Sequence, residues 1–179
     1  MLRHLRTPLA LFMCTAVLAG CESASRMADS ISLPDFGSSQ TEQGEQRVQR
    51  TVAFPEAEYA KLDKTGTSVI KGRMSYEWQG QTIYANRAGI SIAPVTTYSA
   101  EAAELALAGK TASRADPRAQ AYTNIVRTDS NGYFNATGLP SGTFYVAGVI
   151  QLPDGTRSPL ILSQVQVGRG QTRSIELSR

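Results

Sequence analysis

Histidine and cysteine are almost missing from this sequence. His4 is the one histidine in 179 residues, and Cys14 and Cys21 are the two cysteines. All three fall within the first 21 positions, so residues 22–179 contain neither type. That stretch can form no disulfide within itself, no zinc site of His and Cys ligands, and no Ser–His or Cys–His nucleophile pair. Its fold has to rest on a hydrophobic core alone. Aromatic residues supply 7% of the chain and charged residues 18%. No apolar run reaches the about 20 residues a membrane-spanning helix requires. What remains is ordinary: 41% hydrophobic residues and a formal charge of +3, which fit one soluble domain with a tail.

The first 20 residues read as a secretory signal. Arg3, His4 and Arg6 form a positive start, and residues 9–18 (LALFMCTAVL) form a short apolar segment. Leu18-Ala19-Gly20-Cys21 follows at once and resembles the lipobox of bacterial lipoproteins. The resemblance implies cleavage between Gly20 and Cys21 and acylation of Cys21, with palmitate-type chains holding the protein in a membrane. The other reading is an ordinary secreted protein with a chance cysteine. Glu22 rather than Asp after the cysteine implies, by the same resemblance, the outer membrane of a bacterial envelope, facing the periplasm. Each buried acyl methylene contributes ~0.8 kcal/mol, so two or three chains anchor in effect permanently. Cleavage leaves 179 − 20 = 159 residues with 16 basic and 15 acidic side chains.

Residues 21–66 are expected to be the lipidated cysteine and a flexible tether. From 22 to about 50 the chain is rich in Ser, Gln, Glu and Gly, too polar to offset its ordering entropy. As a coil that stretch would span roughly 30 Å. Leu33-Pro-Asp-Phe36 is either filler or a short docking motif. Residues 22–66 carry five basic and eight acidic side chains, and residues 67–179 carry eleven and seven, giving −3 and +4. The positive charges are scattered, so nucleic acid is not an expected partner.

From residue 67 the period becomes two. Ile70, Met74, Tyr76 and Trp78 alternate with Lys71, Arg73, Ser75 and Glu77, which places apolar and charged sets on opposite faces of a strand. A turn at Gly80-Gln81 leads into 82–85, and 89–95 forms a third strand. Ser99 is a plausible N-cap for a short helical insert over 100–108, with Gly109 closing it and a loop carrying Lys110, Arg114, Asp116, Pro117 and Arg118 after it. Further strands are expected at 121–128, 133–135, 143–150, 157–167 and 172–177. The segment 143–150 is apolar on both faces, as a covered central strand is. About seven short strands at this spacing predict an all-β sandwich over 67–179.

The run Thr128-Asp-Ser-Asn-Gly-Tyr-Phe-Asn-Ala-Thr-Gly-Leu-Pro-Ser-Gly-Thr-Phe-Tyr-Val146 resembles the hallmark of carboxypeptidase-regulatory-like domains. Ile70-Lys-Gly72 and Gly89-Ile-Ser-Ile-Ala-Pro94 match the usual opening. The resemblance implies a transthyretin-like (prealbumin-like) Greek-key sandwich, with the helical insert as a departure. It speaks to fold and little to function. Hydroxyisourate hydrolases of this fold use histidines that residues 22–179 lack.

Asp129-x-Asn131-Gly132 is either half of a calcium loop or a plain turn; the further oxygens a calcium loop needs do not follow. No metal or cofactor is expected, and no catalysis. Tyr76, Trp78 and Tyr84 either pack in the core or form a sugar-stacking platform. Residues 99–118, with Lys110, Arg114 and Arg118, either cap the sandwich or contact a partner. The expected function is therefore a non-catalytic, lipid-anchored structural or protein-interaction module. The alternative is a carbohydrate- or peptidoglycan-binding lipoprotein using exposed aromatics.

Overall fold

The computed structural model describes residues 47–179. Gly20, Cys21 and the signal segment lie outside the described residues, as does the tether up to residue 46. Among the described residues no helix is long and apolar enough to cross a membrane.

The alternation along 68–78 produces β1 (Ser68–Trp78), whose odd and even positions part to opposite faces. A hairpin returns as β2 (Gln81–Tyr84), and β3 (Gly89–Pro94) follows. After two short helices come β4 (Asn124–Arg127), β5 (Tyr133–Leu139), β6 (Gly142–Gly148), β7 (Ile161–Val167) and β8 (Thr172–Ser178). The protein is an all-β sandwich of two four-stranded sheets, with eight strands where about seven were expected. One sheet has the order β4-β3-β6-β7, entirely antiparallel. In the other, β1 pairs antiparallel with β2 and β5 and parallel with β8.

β5 pairs with residues 68–73 of β1, whereas β2 pairs with 75–78. Between them, Met74 donates its N–H to Gly132 O at 2.9 Å and accepts from Ala85 N–H at 3.0 Å. A strand residue sends its N–H and C=O to the same side. β5 and β2 therefore lie end to end along one edge of β1, and β8 occupies the other.

The core lies between the sheets. Ile70, Met74, Phe134, Ala136 and Leu177 of one sheet meet Ile90, Ile92, Phe144, Val146, Val165 and Val167 of the other. All six residues of β3 are buried, so that sheet is covered on both faces at its centre. The extra length of β5 to Leu139 takes in the expected turn at 138, and Leu139 is fully buried. The hairpin turn sits one residue earlier than expected: Gln79 and Gly80 have φ of 51° and 77°, the two left-handed positions of a two-residue loop.

The sequence read 121–128 as one strand, but β4 starts only at Asn124. Asp116 caps a short helix, α3 (Pro117–Gln120), by accepting from Arg118 N–H at 2.8 Å, with Pro117 in the first turn. The helical insert begins at Thr97, not after Ser99. In α2 (Thr97–Leu107), Thr96 is the N-cap, and Ser99 sits three residues in. Thr96 Oγ1 accepts from Ser99 N–H at 3.1 Å, and Ser99 Oγ accepts from Thr96 N–H at 2.9 Å.

The 129–132 turn forms as its residues dictate. Asp129 Oδ1 accepts from the N–H groups of Asn131 (2.8 Å) and Tyr133 (2.9 Å). Gly132 alone of the pair Asn131-Gly132 takes positive φ, at 87°, and a Cβ there would lie 2.7 Å from Met74 O. Gly132→Ala should therefore destabilise the sandwich by about 1–3 kcal/mol. Urea unfolding followed by circular dichroism checks this, and an unchanged midpoint would refute the strained junction.

Candidate functional site

Residues 47–66 were expected to belong to the tether; they are instead a strap packed on the domain. Val48 bridges to Ala112, donating to Thr111 O at 2.8 Å and accepting from Ser113 N–H at 2.7 Å. Arg50 donates to Ser113 O and to Tyr98 O, both at 3.1 Å, and its guanidinium lies 4.3 Å from the Tyr98 ring centre. A one-turn helix, α1 (Glu56–Tyr59), follows, and its Glu58 carboxylate accepts from the Thr97 hydroxyl at 2.8 Å. The reason is apolar burial. Tyr59, Tyr98, Ala115 and Ala119 form a second small core with Val52, Phe54, Leu62 and Tyr122 around it, outside the sandwich proper. Burial raises the Tyr59 phenol above its usual pKa, and the hydrogen bond it shares with Thr96 only partly opposes this.

Where the strap crosses the domain it leaves two concavities that share Tyr122 as a wall. One, of about 440 Å³, is lined by Lys61, Leu62 and Asp63 of the strap, by 140–144 (the turn after β5 and the start of β6), and by Gln164 of β7. The other, of about 540 Å³, is lined by Phe54, Glu56, Tyr59, Lys64 and Arg118. The three aromatic rings are mutually packed: Phe54–Tyr59 centres are 4.7 Å apart and Tyr59–Tyr122 5.1 Å. Charged groups stand at the ring faces, with Arg118 4.1 Å from the Phe54 centre and Lys64 5.0 Å from that of Tyr122. Taken together, the two concavities beside Tyr122, called the cleft below, are lined by aromatic rings and by hydroxyl, amide, ammonium and carboxylate groups. Such a lining suits a polyhydroxylated ligand, which offers apolar C–H faces together with hydroxyls that donate and accept.

The residues singled out from sequence scatter. Arg118 joins the cleft, but it is held there by Asp116 (Nε at 3.0 Å, Nη2 at 2.9 Å) and by Glu56. Those bonds raise its already high pKa and lower that of Asp116. Lys110 and Arg114 are exposed on the loop after α2. Of the two readings of Tyr76 and Trp78, the structure shows the core one: both pack against the sandwich core and form no platform with Tyr84. Tyr84 is 42% exposed, and its ring lies on Arg73, with Tyr133 on that same guanidinium. Sequence reasoning missed Phe54, Tyr59 and Tyr122. Among the described residues no three or more His, Cys, Asp or Glu side chains gather as a metal would need.

No protein-family model matches the sequence, and no curated protein matches it. Solved structures do. A protein from Pseudomonas aeruginosa for which carbohydrate binding has been proposed is 26% identical, with a TM-score of 0.60 over 70% of this chain and 97% of its own. The major pilin subunit of Bacillus cereus is 16% identical, with a TM-score of 0.36 over 63% of this chain and 30% of its own. A protein from Bacteroides uniformis, also proposed to bind carbohydrate, is 8% identical, with a TM-score of 0.34 over 63% and 41%.

The strap that walls the cleft is tied down at Glu101. This carboxylate accepts from Thr51 N–H (2.6 Å), the Thr51 hydroxyl (2.5 Å) and Val52 N–H. Partial desolvation raises its pKa, but those hydrogen bonds outweigh it and hold it below the usual 4.5. A depressed carboxylate stabilises above its unfolded-state value, and that contribution is lost as pH falls through the folded-state value. Acidification below about pH 4.5, or Glu101→Ala at neutral pH, should therefore move the Thr51 and Val52 amide resonances toward coil positions. Resonances of the β3–β6 pair should stay in place. If the strap amides hold their shifts in Glu101→Ala, the carboxylate is not what fastens them.

Proposed function

We propose that this protein is a non-catalytic carbohydrate-binding domain, anchored in a bacterial envelope membrane through acylated Cys21. The observation that carries the reading is the cleft around Tyr122, where aromatic rings and polar side chains converge under the strap. The likeness to the Pseudomonas protein supports it. The lack of histidine and cysteine after residue 21 supports a binding role over catalysis. The 128–146 run supports membership of the carboxypeptidase-regulatory-like domains, in which a rigid sandwich presents variable elements.

In this reading the glycan's C–H faces stack on Tyr122, and Asp63, Lys61 and Gln164 exchange hydrogen bonds with its hydroxyls. Tyr122→Ala should weaken binding of a neutral oligosaccharide by about tenfold, the loss of one stacking contact of ~1.4 kcal/mol. Calorimetric titration of hits from a glycan array measures this, with the melting temperature as a folding control. Full affinity in a folded Tyr122→Ala variant would remove the cleft from the proposal.

Exposed Leu107 at the end of α2 (51%) and Ile125 on β4 (48%) favour a second reading, a protein-interaction module. A protein that co-purifies through these residues, with no glycan bound, would establish it. For the anchor, Cys21→Ala should leave uncleaved precursor or release the protein from membranes. A processed variant that still sediments with membranes would overturn the lipoprotein reading.

A further inference from the structure

Arg73 stands on the outward face of β1, where the register offers it an ion-pair partner: its Cα neighbour across the parallel β1–β8 pairing is Glu176. The pair does not form. Both ion pairs among the described residues belong to Arg118. The Arg73 guanidinium instead lies 3.3 Å from the Tyr84 ring centre and 4.8 Å from that of Tyr133. Its Nε donates to Asn131 O at 2.8 Å. Tyr84, Tyr133 and Asn131 all belong to the β2/β5 edge of β1, so the side chain is drawn away from Glu176 toward the opposite edge.

This arrangement leaves the end of the guanidinium uncommitted. Nη1 and Nη2 have no hydrogen-bond acceptor among the described residues, while Nε and the two rings fix the plane. An arginine so held has already lost its rotamer freedom, and its terminal fork matches two coplanar oxygens of an anion. Asp129 makes no ion pair with it, and its Oδ1 accepts from two backbone N–H groups of its own turn. Lys71, exposed two positions along the same face, adds a second positive charge. The flanking rings decide the kind of anion. Tyr84 is 42% and Tyr133 52% exposed, so flat apolar surface borders the fork, as a pyranose ring would use and a free inorganic anion would not.

We propose that Arg73, Tyr84 and Tyr133 form a second glycan-binding site, specific for sugars that carry a carboxylate, of the uronic acid class. It shares no residue with the Tyr122 cleft. It rests on the carbohydrate reading above only for its ligand class. The carboxylate pairs with Nη1 and Nη2, and the sugar ring lies against the tyrosines. No bond is made or broken.

The test is calorimetric titration of the full mature protein in detergent, at low salt, with trigalacturonate and with neutral galactotriose as its counterpart. Trigalacturonate should bind at least about tenfold more tightly. That preference should vanish in Arg73→Gln, fall in Arg73→Lys, which keeps the charge but not the fork, and persist in Tyr122→Ala. Melting temperatures confirm that each variant is folded. Equal affinities in the wild type, or an undiminished preference in Arg73→Gln, would overturn the site. So would Arg73-dependent binding of inorganic phosphate without binding of the uronate. Arg73-dependent uronate binding with no binding of the neutral sugar would uphold this site while the cleft fails; galactotriose binding lost only in Tyr122→Ala, with no uronate preference, would do the reverse.

Discussion

Met74 is the residue at which the architecture is fixed. Its N–H and C=O are shared between two neighbours, Gly132 just before β5 and Ala85 just after β2. Its sulfur reaches the facing sheet, lying 2.7 Å from where a Cβ on Gly148 would stand. Glycine at 148 leaves room for that approach, and at 132 a φ of 87° beside Met74 O requires glycine at the junction. Met74 thus joins the end-to-end placement of β2 and β5, through its backbone, to the contact of the two layers, through its side chain. The Arg73 cluster follows from this. Tyr84 ends β2 and Tyr133 begins β5, so the junction at Met74 delivers both rings to the neighbouring position on β1. A pair of strands lying on opposite edges of β1 would have kept them apart.

The cleft depends on a different constraint, the burial of Tyr98. This residue opens α2, and the strap and the start of α3 close over it together. Phe54 meets its ring edge-on at 6.0 Å, Arg50 stacks on it, and Asp116 donates its N–H to the hydroxyl at 2.9 Å. The strap, the insert and α3 have little apolar surface each. They become ordered together because each completes the burial of the others. The Arg118 bonds to Asp116 and Glu56 are exposed and contribute little by themselves. They tie α3 to α1 at the cleft's rim, so the charged edge is set by the same packing that buries Tyr59.

How much of this was legible depended on whether the signal was local. β1, β3, β6 and β8 carried alternation or continuous apolar runs, and the Asp129 turn carried its own hydrogen-bond acceptor, so these were readable directly. The Thr96 cap and α3 were also local. Thr96-x-x-Ser99 is a capping box with serine in place of the usual acid, and Asp116-Pro117 is a helix start; short length and weak periodicity hid them. The strap was different. Phe54, Tyr59 and Leu62 sit in a polar stretch with no regular period, and their partners are Tyr98 and Ala115 to Tyr122, far along the chain. Likewise Tyr84 and Tyr133 meet only because β2 and β5 share an edge, which no window of sequence contains. Tyr76 and Trp78 were legible as core residues rather than a platform because both alternate with Arg73 and fall on the core side of β1.

The two proposed sites differ in kind. The cleft is concave and walled by a strap that could only be lost by exposing Tyr59 and Tyr98, so its shape is set by that packing. The Arg73 face is flat and open, and gains from a charge that salt screens at about 10 Å. Each contact there is modest, ~0.5–1 kcal/mol for an exposed cation–π pair. Two weak sites on one domain are sufficient to hold a polymeric ligand that reaches both. Once one site engages, a second on the same glycan binds at an effective concentration set by the spacer, in the millimolar range for short flexible ones. Under lipid anchoring, affinity for an extended acidic glycan would therefore come from joining the two sites rather than from perfecting either.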